Sequence, residues 1–330
     1  MKYVFYDSES IDIEHKCSFT FGYLVTDENF NILVPKDENY DYAYSERIKK
    51  ELKLKYPFLT VHSIGKSACQ RDITAYSLGN YKNIVLFAGG FHAQEWLTSL
   101  VILRFLERVC ESVSLRKKLS GVDISSALMS KGITIIPCVN PDGVEIVLNG
   151  PETAGEYAEL VKEASQGDLS SWNANARGVD LNHNFDAGWH ILREMETEQG
   201  ITGPSPRRYG GHGPHSESET KSLVKFCERN NINHAFAIHS QGEEIYWAYG
   251  KETPENSFTM ANIFSVCSGY KLVENDGLAS HGGFKDWFIE YFRKSAFTIE
   301  MGKGKNPLPV SQLDEIYEKI EEMLVIGAVI

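Results

Sequence analysis

"NIVLFAGGFHAQEWLTSLVILRFLERV", residues 83–109, decides how the rest of the chain is read. Its first part, 83–90, is a nearly unbroken apolar run closed by two glycines, as expected of a strand buried on both faces. Beyond it, over 95–113, apolar residues recur at helical spacing. A buried strand running into a helix is the repeating unit of a sheet covered by helices. At the junction stand His92 and Glu95. Residues three apart on a helical turn share a face, so both side chains can reach one ion. An isolated His-x-x-Glu also arises by chance, and a metal site needs a third ligand from elsewhere.

The alternation continues on both sides. Helices are expected over 44–56, 215–231, 254–269, 284–292 and 311–328. Paired strands are expected over 59–67 and 71–79. Further strands are expected over 132–143 (ending in a turn), 234–240, 244–250 and 295–302. The fold class that follows is α/β, a mixed, mostly parallel central sheet with helices on both faces. In such sheets ligands bind beyond the carboxyl ends of the strands. His92, Asp142, His239 and Glu300 stand at or just beyond four expected strand ends, and His239 is the natural third ligand. Residues 148–214 are rich in Gly, Asn, Pro and Ser, with a short helix expected near 153–165. Irregular stretches of that length inside a domain usually serve a function.

The bulk numbers exclude several classes. The chain has 330 residues, 42% hydrophobic and 24% charged, enough for a sizeable core. A net charge of −12 argues against a nucleic-acid partner, which would need a basic face. There is no run of eighteen apolar residues for a membrane span. The start, "MKYVFYDSESIDIEHK", has acids where a signal peptide needs an apolar core, so a cytoplasmic location is expected, with secretion by another route left open. Six scattered cysteines without a C-x-x-C fit reduced thiols, not disulfides or a cysteine zinc site.

The division expected is an N-terminal appendage, 1–42, and a catalytic domain, 43–330. Residues 1–45 carry nine acids against three lysines, half of the net charge. "VFYDSES" followed by "CSFTFGYLVTDENFNIL" resembles the first hairpin of a DnaQ-like exonuclease, with Asp7 and Glu9 as its first metal-binding acids. The later acids of that fold are missing, so the resemblance implies a remnant or an accessory hairpin.

A second resemblance covers roughly 45–330. "FHAQEW", "PCVNPDG", "NARGVDLNHNFDAGW", "GPHSESET", "AIHSQG", "GGFKDWF" and "FTIEMG" occur in that order. Together they resemble the zinc carboxypeptidase superfamily of the funnelin type. The resemblance implies one Zn2+ per chain held by His92, Glu95 and His239, with Glu300 as general base for the attacking water. It implies Arg177 as the group that polarises the scissile carbonyl, a task suited to a fixed guanidinium. It implies Asp142 as acceptor for the free ring N–H of a ligand histidine, His92. Plainer readings stand beside these: Asp142 as a turn residue of "NPDG", and Arg177 as a surface arginine.

Substrate is read from the departures. The family's digestive members grip a terminal carboxylate with an Asn-Arg pair; here the pair is Asn182-His183, and histidine lacks the guanidinium fork. Where those enzymes carry a mobile tyrosine, this chain has Leu278. Lys285 falls at the base of the pocket for the side chain after the cut, where it would favour a carboxylate; the plainer reading is a solvated lysine. "GVDLNHNFDAGW" and "YPFLTVHSIGKSACQRDI" resemble one branch in particular, the bacterial γ-D-glutamyl-meso-diaminopimelate peptidases of endospore formers. The resemblance implies a peptide substrate from the peptidoglycan stem. A zinc carboxypeptidase for ordinary peptides with acidic C-terminal residues is the alternative, and a catalytically inactive peptide binder is a third.

Overall fold

The computed structural model describes residues 33–34, 37–273 and 281–330. The exonuclease-like hairpin around Asp7 and Glu9, and Leu278, lie outside them.

Eight strands form one mixed sheet: β1 (Thr60–Lys66), β2 (Asp72–Gly79), β3 (Ile84–Gly89), β4 (Gly132–Ile136), β5 (Ile232–His239), β6 (Glu244–Tyr246), β7 (Lys271–Val273) and β8 (Ala296–Glu300). Their order is β1-β2-β4-β3-β5-β8-β6-β7. The centre, β4-β3-β5-β8, is parallel throughout. Antiparallel pairings flank it: β1 with β2, β2 with β4, and β6 with β8.

The helices lie on both faces, as the side chains of β3 require. Val85 and Phe87 join one apolar cluster, while Ile84, Leu86 and Ala88 join the other. The first cluster is covered by α1 (Tyr42–Lys55), α2 (Leu97–Leu115), α4 (Asn256–Ser268) and α6 (Leu313–Val329). The second is covered by α3 (Ser218–Arg229) and α5 (Phe284–Phe292). Phe87 stacks on Phe236 of the neighbouring strand with ring centroids 4.7 Å apart. A fully buried Phe at such a position is worth about 3–5 kcal/mol against alanine.

The chain leaves β3 through Gly90, whose φ of +59° suits glycine. A Cβ there would stand 3.0 Å from the Cα and Sγ of Cys138 and from Ser99 Oγ. This close approach brings the His92 loop against the segment following β4: Asn140 N–H donates to Gly90 O and Val139 N–H to Gly89 O, both at 2.9 Å.

The structure departs from the sequence reading in several places. "NPDG" is not a turn closing a strand, because β4 ends at Ile136 and Pro141–Asn149 is a helix. Asn140 caps it by accepting from Gly143 N, and Pro141 occupies its first turn; Asn and Pro signal helix starts as well as turns. The strand expected over 244–250 stops at Tyr246. The helix Trp189–Glu198 and the edge strand β7 fall where the sequence reading expects no regular element. Among the described residues no helix is long and apolar enough to cross a membrane.

Candidate active site

Three of the four strand ends converge. His92 lies between β3 and the short 3-10 turn Ala93–Glu95, in extended conformation (φ −96°, ψ 138°), and Glu95 closes that turn. His239 ends β5 and Glu300 ends β8, and the two are register partners in adjacent parallel strands. His92 Nδ1 lies 2.8 Å from Glu95 Oε1, and His239 Nδ1 lies 2.9 Å from Glu95 Oε2. One ligand atom from each of the three residues falls within 4.8 Å of the others. The ring of Phe91 stacks on His239 at 5.1 Å.

These donors fit a zinc ion. Two imidazoles and one carboxylate are a donor set that catalytic zinc takes, with a further position open. His239 Nε2 is buried without a hydrogen-bond partner, an orphaned polar atom in a cluster of ligand-type groups. Burial raises the Glu95 carboxyl, but His92 and His239 outweigh it and bring it down to about 2. Burial likewise works against charge on His92, yet Glu95 and Asp180 lift it well above the usual histidine range. The proton that this charging favours on His92 would have to leave on metal binding, since a metal takes deprotonated ligands.

Asp180 holds the other edge of His92. Its Oδ1 is 3.1 Å from His92 Nε2 and accepts from Asn182 N at 3.2 Å, while Oδ2 accepts from Arg208 N at 2.9 Å. Burial would raise its carboxyl, but His92 and His183 hold it far below the usual range. A carboxylate on the second nitrogen of a ligand histidine fixes its tautomer and orientation. That role was assigned to Asp142, and the structure corrects it. Asp142 is wholly buried, but its oxygens take Arg71 Nη1, Ser67 Oγ and Cys69 N, each at 2.7 Å. It belongs to the first turn of the helix Pro141–Asn149 and is occupied by the loop after β1. Asp180 stands two residues before Asn182 in "GVDLNHNF".

A cleft of about 210 Å³ opens beside the cluster, lined by His92, Asn182, His183, Lys285 and Glu300 among others. Burial, and then the Glu95 carboxylate, push the Glu300 carboxyl well above the usual range. A cation held by the three ligands would draw it back down. His183 Nδ1 faces two acceptors, Glu196 Oε1 at 2.9 Å and Arg208 O at 3.0 Å, so that nitrogen carries the proton. Burial opposes its charge, but Asp180 and Glu196 raise its pKa. Asn182 Oδ1 accepts from Phe284 N at 3.0 Å and so ties the "GVDLNHNF" segment to the start of α5. Lys285 is 3% exposed, and its Nζ donates to Ala248 O at 2.8 Å and to Asp286 Oδ1. It is therefore a buried, paired lysine in the cleft, not a solvated one.

Arg177 is not brought to the cleft wall in this structure. Its guanidinium rests 3.5 Å from the buried Glu217 carboxylate, its side chain is 39% exposed, and it is not among the residues lining the cleft. A glycine with φ of +67° follows it and turns the chain toward Asp180. This puts the arginine outside the cleft while Asp180, three residues on, meets His92.

Residues 46–323 match the family model described as zinc carboxypeptidase. The chain belongs to the zinc carboxypeptidase family. It is a zinc metallopeptidase by family, and His92, Glu95 and His239 form the group that could hold the zinc. It is 35% identical over 289 residues to gamma-D-glutamyl-L-diamino acid endopeptidase 1 of Lysinibacillus sphaericus, covering 87% of this chain and 72% of that one. It is 34% identical over 290 residues to the uncharacterized protein YqgT of Bacillus subtilis (strain 168), covering 86% of this chain and 75% of that one. Among solved structures, that of thrombin activatable fibrinolysis inhibitor superposes with a TM-score of 0.69 at 19% identity, covering 89% of this chain and 74% of that one. At that identity the match speaks for the fold.

Proposed function

We propose that this member of the zinc carboxypeptidase family hydrolyses the bond between γ-D-glutamate and meso-diaminopimelate in peptidoglycan stem peptides. The observation that carries the proposal is the state of residue 183. Where the digestive branch holds a terminal carboxylate with arginine, His183 is bound through Nδ1 to Glu196 and to Arg208 O. It offers a substrate no bidentate fork. The relative named for γ-D-glutamyl-L-diamino acid cleavage, similar over most of the chain, supports the same reading. So does Lys285, a cation at the cleft with a carboxylate beside it, suited to the carboxylate and ammonium of the diaminopimelate side chain.

Zinc at the three ligands would lower the pKa of a bound water and polarise the scissile carbonyl. The chain's own groups do the rest. Glu300, in the cleft with His92, takes the proton of the attacking water and passes it to the departing diaminopimelate nitrogen. Asp180 keeps His92 turned toward Glu95. Asn182 and Lys285 line the leaving-group side. The location proposed is the cytoplasm, with free stem peptides as substrate.

A comparison of kcat/KM tests the reading. The zinc-loaded protein is assayed on L-Ala-γ-D-Glu-meso-diaminopimelate and on an α-peptide ending in L-glutamate. A preference of tenfold or more for the stem peptide is expected. The reverse preference would favour a carboxypeptidase for acidic C-terminal residues.

A further inference from the structure

We infer that Arg207 and Arg208 form a carboxylate clamp on the wall of the cleft, taking the place that His183 leaves without a guanidinium. Both arginines line the same cleft as His92, Lys285 and Glu300, and both are exposed. Most guanidiniums of this acidic chain rest on a carboxylate, among them Arg71 on Asp142, Arg104 on Asp314, Arg177 on Glu217 and Arg193 on Glu196. Among the described residues no acid pairs with Arg207 or Arg208, and the one side-chain partner is the neutral Gln199, 3.2 Å from Arg208 Nη1. The other cation of the cleft, Lys285, is already engaged by Asp286 and Ala248 O. The uncompensated positive charge of the cleft therefore sits on the two arginines.

Their backbone is held, while among the described residues their guanidiniums meet no carboxylate. Pro206 O accepts from Asn173 N at 2.7 Å and from Ala174 N at 3.0 Å. Arg208 N–H donates to Asp180 Oδ2, Arg208 O accepts from His183 Nδ1, and Tyr209 O accepts from Asp180 N at 2.8 Å. The segment is thus fastened to the carboxylate that orients His92 and to the histidine in the family's carboxylate-binding position. A fixed backbone presenting two guanidiniums lowers the ordering cost of gripping a planar carboxylate by two parallel hydrogen bonds.

The ligand is a substrate carboxylate close to the scissile bond. This rests on the proposed peptidase activity, which offers two sources: the α-carboxyl of the γ-linked glutamate before the cut, and the main-chain carboxyl of the residue after it. Binding is read by calorimetry on zinc-loaded Glu300→Gln protein, with and without Arg207→Gln and Arg208→Gln together. The probes are the stem tripeptide, its two singly amidated forms (at the glutamyl α-carboxyl or at the diaminopimelate main-chain carboxyl), and an α-peptide ending in glutamate. Loss of both arginines is expected to weaken the tripeptide tenfold or more. The amidated form that lacks the gripped carboxylate should bind weakly and be insensitive to the arginines, which identifies the source. If no acidic peptide loses affinity, or if all amidated forms lose as much as the parent, the clamp is refuted. Turnover by the wild-type protein is scored separately, so a clamp on a peptide that is not cut would contradict the activity and leave the clamp standing.

Discussion

At the scale of the residue, each role attaches to a measurable loss. Glu300→Gln keeps shape and ligands but removes the proton acceptor; kcat is expected to fall by about 10²–10⁴-fold while zinc content stays at the wild-type level. Activity within a few-fold of wild type would remove Glu300 from that role. Asp180→Asn replaces the carboxylate on His92 Nε2 with an amide. Zinc affinity, read by competition with a chelator, should weaken by about 10–100-fold, whereas Asp142→Asn should leave it unchanged because Asp142 engages Arg71. Arg177→Ala gives the opposite expectation from an oxyanion donor. Loss of such a donor costs about 10²–10³ in kcat, but an arginine paired with Glu217 outside the cleft should change kcat by no more than a few-fold. The convergence of His92, Glu95, His239 and Glu300 was readable because their motifs stand at or just beyond strand ends. Asp142 and Asp180 were not separable, since both are acids in polar motifs after a buried stretch. Which of them faces His92 depends on loop 67–71 reaching Asp142, a long-range contact that no local pattern carries.

At the scale of the element, what was legible is what sterics and burial fix locally. β3 is buried along its whole length, and α2 carries its apolar face at helical spacing, so both were plain in 83–109. The helix Pro141–Asn149 was hidden because Asn-Pro-Asp-Gly serves turns and helix starts alike. β7 is three residues long with little burial, too short to show a pattern. The junction between β3 and the ligand turn rests on Gly90. Gly90→Ala places a Cβ in the left-handed region, at a cost of about 1–2 kcal/mol, and 3.0 Å from Cys138 and Ser99. A lower denaturation midpoint together with weaker zinc retention is expected. A fall in stability with zinc affinity intact would mean that the turn does not position His92.

At the scale of the whole molecule, two buried titratable groups away from the zinc ligands set opposing pH dependences. Burial, with Asp142 adding to it, raises Glu219 to about 7. Its folded value exceeds the ordinary 4.5, so the folded state binds more protons and stability falls as pH rises from about 4.5 to 7. Burial lowers His234 to about 4, although its Nε2 donates to Gly327 O at 2.7 Å. Here the unfolded state binds more protons, so stability rises with pH from about 4 to 6.5. Each slope is worth on the order of 3 kcal/mol across its window, and in the wild type they oppose each other. Glu219→Gln should therefore unmask a stability that climbs between about pH 4 and 6.5, and His234→Gln one that declines between about pH 4.5 and 7; denaturant midpoints across pH test both, and parallel curves for all three proteins would refute the pairing. The α/β class and the ordered motifs made the zinc carboxypeptidase family legible in the sequence, because a sheet places its strand ends together whatever its loops do. The substrate was less legible, because it depends on whether the side chains at 183, 207, 208 and 285 are free or already engaged. The most direct test of the central claim is mass spectrometry of the zinc-loaded protein incubated with L-Ala-γ-D-Glu-meso-diaminopimelate-D-Ala. Release of L-Ala-D-Glu is the predicted result; release of the terminal D-Ala alone would contradict it.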